Sequence, residues 1–158
     1  MHREVEVVAL GSNLGDREAT IAHAVRRIAE LDGVELTAVS SLHEFAALTL
    51  HGVDLDAAPY LNAVAVVQTV LTPIALLEAT ARIETDLGRV RAKRWDDRTL
   101  DIDLIDVDGL TLATDVLTLP HPRAADRDFV LTPWLEIDAE ARLGGESVAD
   151  LLRKVREQ

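Results

Sequence analysis

From residue 60 to 69 the chain reads Tyr-Leu-Asn-Ala-Val-Ala-Val-Val-Gln-Thr, and its unbroken apolar centre, Ala63 to Val67, suggests a strand buried on both faces. The other elements fall in order around it. Val5 to Leu10, rich in valine and bounded by Gly11, predicts an earlier strand. Arg17 to Leu31 sets Ile21, Ala24, Val25, Ile28 and Leu31 at helical spacing, with Asp16 as cap and Asp32-Gly33 as stop. Val34 to Leu42 alternates enough for a second strand. Thr72-Pro73 opens a helix that runs to about Leu87 and is stopped by Gly88. Leu100 to Val107 predicts the next strand.

Strand, helix, strand, strand, helix, strand is the order of an α+β, ferredoxin-like (βαββαβ) antiparallel sheet with helices on one face. C-terminal additions follow. Asp108-Gly109 ahead of Leu110-Thr111-Leu112 is a hairpin signal. Pro120, Pro122 and Pro133 punctuate an irregular stretch around a short helix near Ala124 to Asp128, and Ser147 caps a last helix from Val148 to Arg156. Two segments read as long loops, Phe45 to Pro59 and Arg89 to Thr99; loops of such length in compact domains tend to be functional.

With 158 residues, 48% of them apolar, the sequence fits a single domain spanning 1–158 with a sizeable core. Aromatic residues make up only 3%, so the core must come from Leu, Val, Ile and Ala, and each of Phe45, Tyr60, Trp95, Phe129 and Trp134 invites a question. A formal net charge of −12 argues against nucleic acid and anionic membrane as partners. Any anionic substrate has to be met by a local basic cluster. No cysteine is present, which excludes disulfides and thiolate metal sites and suits a cytoplasmic chain. Met1 to Gly11 has acids inside its apolar run and is too short for a signal peptide or membrane span.

The most telling chemistry lies in Leu100-Asp101-Ile102-Asp103-Leu104-Ile105. Residues two apart on a strand share a face, so Asp101 and Asp103 point the same way, with Asp106 expected on the opposite face. Two neighbouring carboxylates repel unless a cation lies between them, and Mg²⁺ favours carboxylate and phosphate oxygen. A solvated edge-strand face is the alternative. The preceding loop favours the metal: Arg89, Arg91, Lys93, Arg94 and Arg98 crowd ten positions of an otherwise acidic chain. Guanidinium forks bind phosphate oxygens bidentately. A solvated loop would explain the charge but not Trp95, which is costly to leave exposed there. Gly11-Ser12-Asn13-Leu14-Gly15 lacks the Gly-Lys-Ser/Thr ending of a phosphate loop and is assigned a structural role beside the site. His2, His23, His43 and His51 have no metal-ligand spacing and are read as non-functional.

Seven segments in register carry a resemblance: Gly11-Ser12-Asn13-Leu14-Gly15-Asp16, Tyr60-Leu61-Asn62-Ala63, Leu87-Gly88-Arg89-Val90-Arg91, Arg94-Trp95, Arg98-Thr99-Leu100-Asp101-Ile102-Asp103, Leu119-Pro120-His121-Pro122-Arg123 and Arg127-Asp128-Phe129-Val130-Leu131. Together they resemble the 6-hydroxymethyl-7,8-dihydropterin pyrophosphokinases over nearly the whole chain. The resemblance implies an ATP-dependent diphosphotransferase of folate synthesis, acting as a monomer. It implies that Asp101 and Asp103 hold two Mg²⁺ ions on the ATP phosphates, and that Arg89 and Arg98 contact the transferring and leaving phosphates with Arg91 and Arg94 in support. Glu84, Leu104, His121 and Arg127 match positions around ATP. Tyr60 and Phe129 match the rings that sandwich the pterin, Asn62 an amide on its edge, Leu48 a contact in the pterin-side loop, and Trp95 a residue closing over the site.

Alone, Tyr60, Phe129 and His121 would read as packing residues. The sequence also departs from the family pattern. Phe45-Ala46 stands where a Thr-Pro pair is usual, Ala81 where many relatives have glutamine, and Pro122 where some have tyrosine. A binding module without turnover and a different Asp-x-Asp transferase are the competing readings. The first has no need of the arginines, and the second does not predict Tyr60, Asn62 and Phe129 together.

Overall fold

The structure is a computed structural model that describes residues 3–13, 15–49, 52–54, 59–88 and 100–157. Its sheet is organised around β6 (Tyr60–Thr69), which pairs antiparallel with β1 (Glu4–Ser12) on one side. On the other side it pairs with β2 (Val34–Val39) and then β3 (His43–Phe45). β7 (Asp101–Val107) adds to the free edge of β1, giving the order β2-β6-β1-β7, antiparallel throughout. Three small hairpins lie apart from this sheet: β4 (Ala47–Thr49) with β5 (Gly52–Asp54), β8 (Leu112–Ala113) with β9 (Thr118–Leu119), and β10 (Arg142–Leu143) with β11 (Glu146–Ser147).

Strand alternation divides the core into two layers. Val8, Leu10, Ala63, Ala65 and Val67 face α1 (Arg17–Ala29) and α2 (Pro73–Gly88), meeting Ile21, Ala24 and Ile28 on the first helix and Leu76 and Ile83 on the second. Val7, Ala9, Val64 and Ile105 face the other way, onto Val130, Leu131 and Trp134 of α3 (Asp128–Ile137) and Val148, Leu151 and Leu152 of α4 (Val148–Arg156). The run Ala63 to Val67 is apolar at every position because both faces are covered. Each fully buried Leu or Ile contributes about 1.5–3 kcal/mol. The expected helices α1 and α2 share one face, and the C-terminal additions form a second helical layer over the other.

The caps expected from sequence are in place. Asp16 Oδ1 accepts from the Ala19 N–H at 3.1 Å, Thr72 Oγ1 from Ala75 at 3.1 Å, and Ser147 Oγ from Asp150 at 3.1 Å.

Five expectations are corrected. The second strand stops at Val39, because Ser40 exchanges bonds with Val64: its N–H donates to the Val64 carbonyl and its Oγ accepts from the Val64 N–H, each at 2.9 Å. The ladder resumes as β3. Residues 45–59 are accordingly not one structureless loop, since β4 and β5 pair within them. Asp108 and Gly109 do take the positive φ values of 45° and 72° that an Asp-Gly turn uses, but β8 pairs with β9 instead of folding back on β7. A ten-residue helix, α3, occupies the stretch read as irregular after a short helix at 124–128; only Ala124–Asp126 form a 3₁₀ turn there. Pro133 lies inside α3 and is buried, forfeiting the one bond that an N–H would make to the Phe129 carbonyl. Finally, a bulge in β7 makes Val8 pair with Leu104 but Val7 with Asp106, so Asp106 shares the face of Asp101 and Asp103.

Candidate active site

Across three strands, Gly11 of β1 pairs with Asn62 of β6 on one side and with Asp101 of β7 on the other. Two residues along, Ala9 pairs with Asp103. These positions lie on the α3 face of the sheet, at the end that α3 and α4 do not fill. A cavity of about 170 Å³ results. Its floor is Ala9, Leu10 and Gly11; Asp101 and Asp103 form one side, Tyr60, Asn62, Phe45 and Ala46 the other, and Arg127, Phe129 and Val130 the roof. Glycine is required at the floor, because a Cβ on Gly11 would stand 2.9 Å from Asn62 Oδ1 and 3.4 Å from the Tyr60 ring.

The rings set the shape of this cavity. Phe45 is the ladder partner of Tyr60 and meets Phe129 edge-on, with centroids 6.2 Å apart at 61°. The Arg127 guanidinium lies 5.4 Å over the Phe129 ring. Asn62 is only 5% exposed, yet its Nδ2 has no hydrogen-bond partner among the described residues. A buried amide donor left in that state is costly unless something entering the cavity accepts from it.

A second cavity, of about 290 Å³, lies along the outer edge of β7. Leu77 of α2, Ile102, Asp103 and Leu104 line one side, and Thr114 to Thr118, His121 and Pro122 the other. Asp103 thus borders both cavities. His121 is fixed by its N–H to the Ile105 carbonyl at 2.8 Å, and its Nδ1 accepts from the Arg123 N–H at 3.2 Å, which puts the ring proton on Nε2. Burial pushes the His121 pKa down; Asp103 opposes this while Arg127 and Arg123 reinforce it. Glu84 of α2 accepts from the Ile102 N–H at 2.8 Å, between the two aspartates in sequence.

Of the residues singled out from sequence, Tyr60, Asn62, Asp101, Asp103, Arg127 and Phe129 meet in the first cavity, and Asp103, Leu104 and His121 in the second. Leu48 lies in β4 opposite Val53. Arg89, Arg91, Arg94, Trp95 and Arg98 lie outside the described residues. Phe129 sits in the first turn of α3. Sequence reasoning noted Phe45 and Ala46 as departures without counting them as site residues, although a phenylalanine in so aromatic-poor a chain was a signal. It also passed over Leu77 and Thr114 to Thr118, which carry no distinguishing pattern.

A sequence profile of the 7,8-dihydro-6-hydroxymethylpterin-pyrophosphokinases matches residues 7–139. The chain is 39% identical over 148 residues to the 2-amino-4-hydroxy-6-hydroxymethyldihydropteridine pyrophosphokinase of Methylorubrum extorquens, covering 94% of this chain and 91% of that one. To the enzyme of the same name from Bacillus subtilis it is 40% identical over 133 residues, 84% of this chain and 77% of the relative. Among solved structures, a Plasmodium falciparum HPPK-DHPS with pterin and p-hydroxybenzoate superposes with a TM-score of 0.73 at 14% identity, over 96% of this chain and 44% of that longer one. The fold is therefore shared with a distant structure and the sequence with nearer relatives along almost its full length, and the chain belongs to the 7,8-dihydro-6-hydroxymethylpterin-pyrophosphokinase family.

Proposed function

We propose that the first cavity takes the pterin ring and the second the nucleotide, with Asp103 at the boundary where phosphate passes from one to the other. The chain is a pyrophosphokinase, an ATP-dependent diphosphotransferase that moves pyrophosphate from ATP to the hydroxymethyl group of 6-hydroxymethyl-7,8-dihydropterin in folate biosynthesis. The observation that carries the site assignment is the buried Asn62 Nδ2, without a hydrogen-bond partner among the described residues, in a cavity walled by rings and bordered by two carboxylates. A flat heteroaromatic with acceptors on its edge satisfies that donor and fills the space against Tyr60 and Phe129.

In the reaction the hydroxymethyl oxygen attacks the β-phosphorus of ATP. One O–P bond forms, the bridge to the α-phosphate breaks, AMP leaves and the hydroxyl proton passes to solvent. No side-chain nucleophile is required. Tyr60, Asn62 and Phe129 orient the ring so that its hydroxymethyl arm reaches toward Asp101 and Asp103. These two carboxylates fit Mg²⁺, for which the family reading implies two ions: they cannot fill an octahedral shell, which leaves positions for phosphate oxygens and water. When bound, the metal supplies charge neutralisation along the phosphate chain. Arg89 and Arg98 are assigned to the phosphates with Arg91 and Arg94 in support. Leu104, His121, Arg127 and Glu84 are assigned to the nucleotide side, and Leu48 and Trp95 to closing the pterin side. Neutral His121 offers its Nε2–H to the nucleotide as a donor.

The sheet order β2-β6-β1-β7, antiparallel throughout, supports the ferredoxin-like assignment. One domain over 1–158, a monomer and a cytoplasmic location complete the proposal. The net charge of −12 supports a chain that keeps clear of nucleic acid and anionic membrane. Incubation of the protein with Mg²⁺, ATP and hydroxymethyl-dihydropterin, with nucleotide products separated, tests the function. AMP formation in step with pterin diphosphate is expected, and ADP, or no product, overturns it.

A further inference from the structure

Two turns beyond Phe129, on the same side of α3, stands Glu136, and two residues before Phe45, on the same side of β3, stands His43. The two elements meet at both levels. At the inner level Phe45 packs edge-on against Phe129 as part of the cavity wall. At the outer level His43 Nε2 lies 2.6 Å from Glu136 Oε1. Ser41, one further step along the alternation, adds two bonds to the same carboxylate: its hydroxyl donates to Oε1 at 2.7 Å and its N–H to Oε2 at 2.8 Å. His43 in turn lies over Phe45, with ring centroids 6.5 Å apart and planes within 27°.

We propose that Ser41, His43 and Glu136 are positioning residues that clamp β3 to α3 and so hold Phe45 in edge-on contact with Phe129, fixing the wall of the substrate cavity that these two rings share. This deepens the reading of the first cavity as the pterin site and rests on it. β3 is three residues long and, among the described residues, pairs only with β6, so its outer side has no ladder to hold it. The clamp holds it instead from the face that α3 covers. Glu44, pointing the other way, is held by Arg17 at 3.0 Å, and the same guanidinium donates to the Pro59 carbonyl at 2.9 Å just ahead of Tyr60. The short strand is thus tied on both faces beside the residues that wall the cavity.

The bonding order excludes nucleophilic use of this Ser, His and Glu. The histidine Nε2 is taken by the carboxylate, the serine hydroxyl points at the same carboxylate, and Ser41 Oγ is 3.5 Å from His43 Nε2. Three donors on one carboxylate make it a firm anchor, and they hold the Glu136 pKa down to about 2, with Ser41 as the largest cause. An ordinary surface ion pair would add little. This one is joined by a backbone N–H and closes on a substrate wall.

The test is steady-state kinetics of the whole chain with each substrate varied in turn, on wild type, Glu136→Ala, Glu136→Gln and Ser41→Ala/His43→Gln. Loss of the clamp is expected to raise KM for the pterin about tenfold, with KM for ATP and kcat at saturating pterin within about twofold of wild type. Glu136→Gln keeps an acceptor for the Ser41 N–H and is expected to recover most of the pterin KM. An unchanged pterin KM in Glu136→Ala and in the double variant overturns the clamp, as does a rise that Glu136→Gln fails to reverse. So does a fall in active protein that leaves both KM values alone, since that is what loss of stability by itself produces. If Glu136→Ala does not fold, the double variant decides alone. Absence of AMP from the wild-type chain would instead remove the pterin-site reading, which separates the two failures.

Discussion

A methyl group placed on Gly11 would come within 2.9 Å of the Asn62 Oδ1, closer than two such atoms tolerate. Gly11 and Asn62 are ladder partners on adjacent central strands, so neither backbone can retreat without disturbing the sheet. The amide of Asn62 has to turn instead, and with it the buried Nδ2 donor that has no partner among the described residues. Gly11→Ala is therefore expected to raise KM for hydroxymethyl-dihydropterin by about tenfold or more, roughly 1.4 kcal/mol of binding, while KM for ATP stays near wild type. Initial rates with each substrate varied in turn check this, and a change confined to ATP would contradict it.

Asp103 borders both cavities, whereas Asp101 borders only the first. Replacing either carboxylate by its amide keeps the shape of β7 and removes charge. Asp103→Asn and Asp101→Asn are each expected to lower kcat at least about a hundredfold, comparable to loss of a strong electrostatic contact in a transition state. Thermal midpoints should move by no more than a few degrees, because both side chains are half-buried at the sheet end and outside the packed layers. Turnover assays over a Mg²⁺ titration, paired with melting curves, provide the check. Near-native kcat in either variant would remove that aspartate from the metal site.

The difference between what could be read in advance and what could not follows from where the information sits. α1, β6, α2, β7 and α4 were legible because period, cap and stop agree within each segment: Thr72 with Pro73, or Ser147 ahead of Val148, Leu151 and Leu152. α3 was not. Pro133 in its middle argues locally against a helix, and the seat for Val130, Leu131 and Trp134 exists only once Val7, Ala9, Val64 and Ile105 have formed one face of the sheet. The displaced Asp106 has the same cause, since a bulge belongs to the pairing of two strands and leaves no mark in either. The likeness of Asp101 and Asp103 survived because it lies on the regular side of that bulge. Within the site, Tyr60, Asn62 and Phe129 came from family resemblance, while Phe45, His43 and Glu136 required the fold. His43 has no metal-ligand spacing, and its partner lies 93 residues away.

Leu131 tests how far α3 depends on its seat. It is fully buried between the sheet and α4, in a helix whose own propensity is reduced by Pro133. Leu131→Ala leaves a cavity that the surrounding layer cannot fill, and a loss of about 3 kcal/mol is expected. Urea denaturation should show a lower midpoint with an unchanged slope. A loss below about 1 kcal/mol would mean that α3 is not held by this layer.

Glu6 gives the chain a pH dependence opposite to that of most carboxylates. It lies in β1 between Val67 and Val107, is fully buried, and neither carboxylate oxygen has a hydrogen-bond partner among the described residues. Burial first, then Glu4 and Asp108, raise its pKa from 4.5 to about 7. The folded chain therefore holds this proton more tightly than the unfolded one. Its stability contribution is complete below pH 4.5, where both states are protonated, and is lost as pH rises through about 7. The loss amounts to roughly 3 kcal/mol once the carboxyl is ionised in both states. Glu6→Gln mimics the protonated form at every pH. The variant should match wild type near pH 4.5 and exceed it at pH 8, with the difference growing between those limits. Groups that titrate equally in both proteins cancel from the comparison. Urea midpoints for the pair, taken at half-unit intervals from pH 4.5 to 8, measure this directly. Curves that stay parallel across that range would mean that Glu6 keeps its ordinary pKa in the fold.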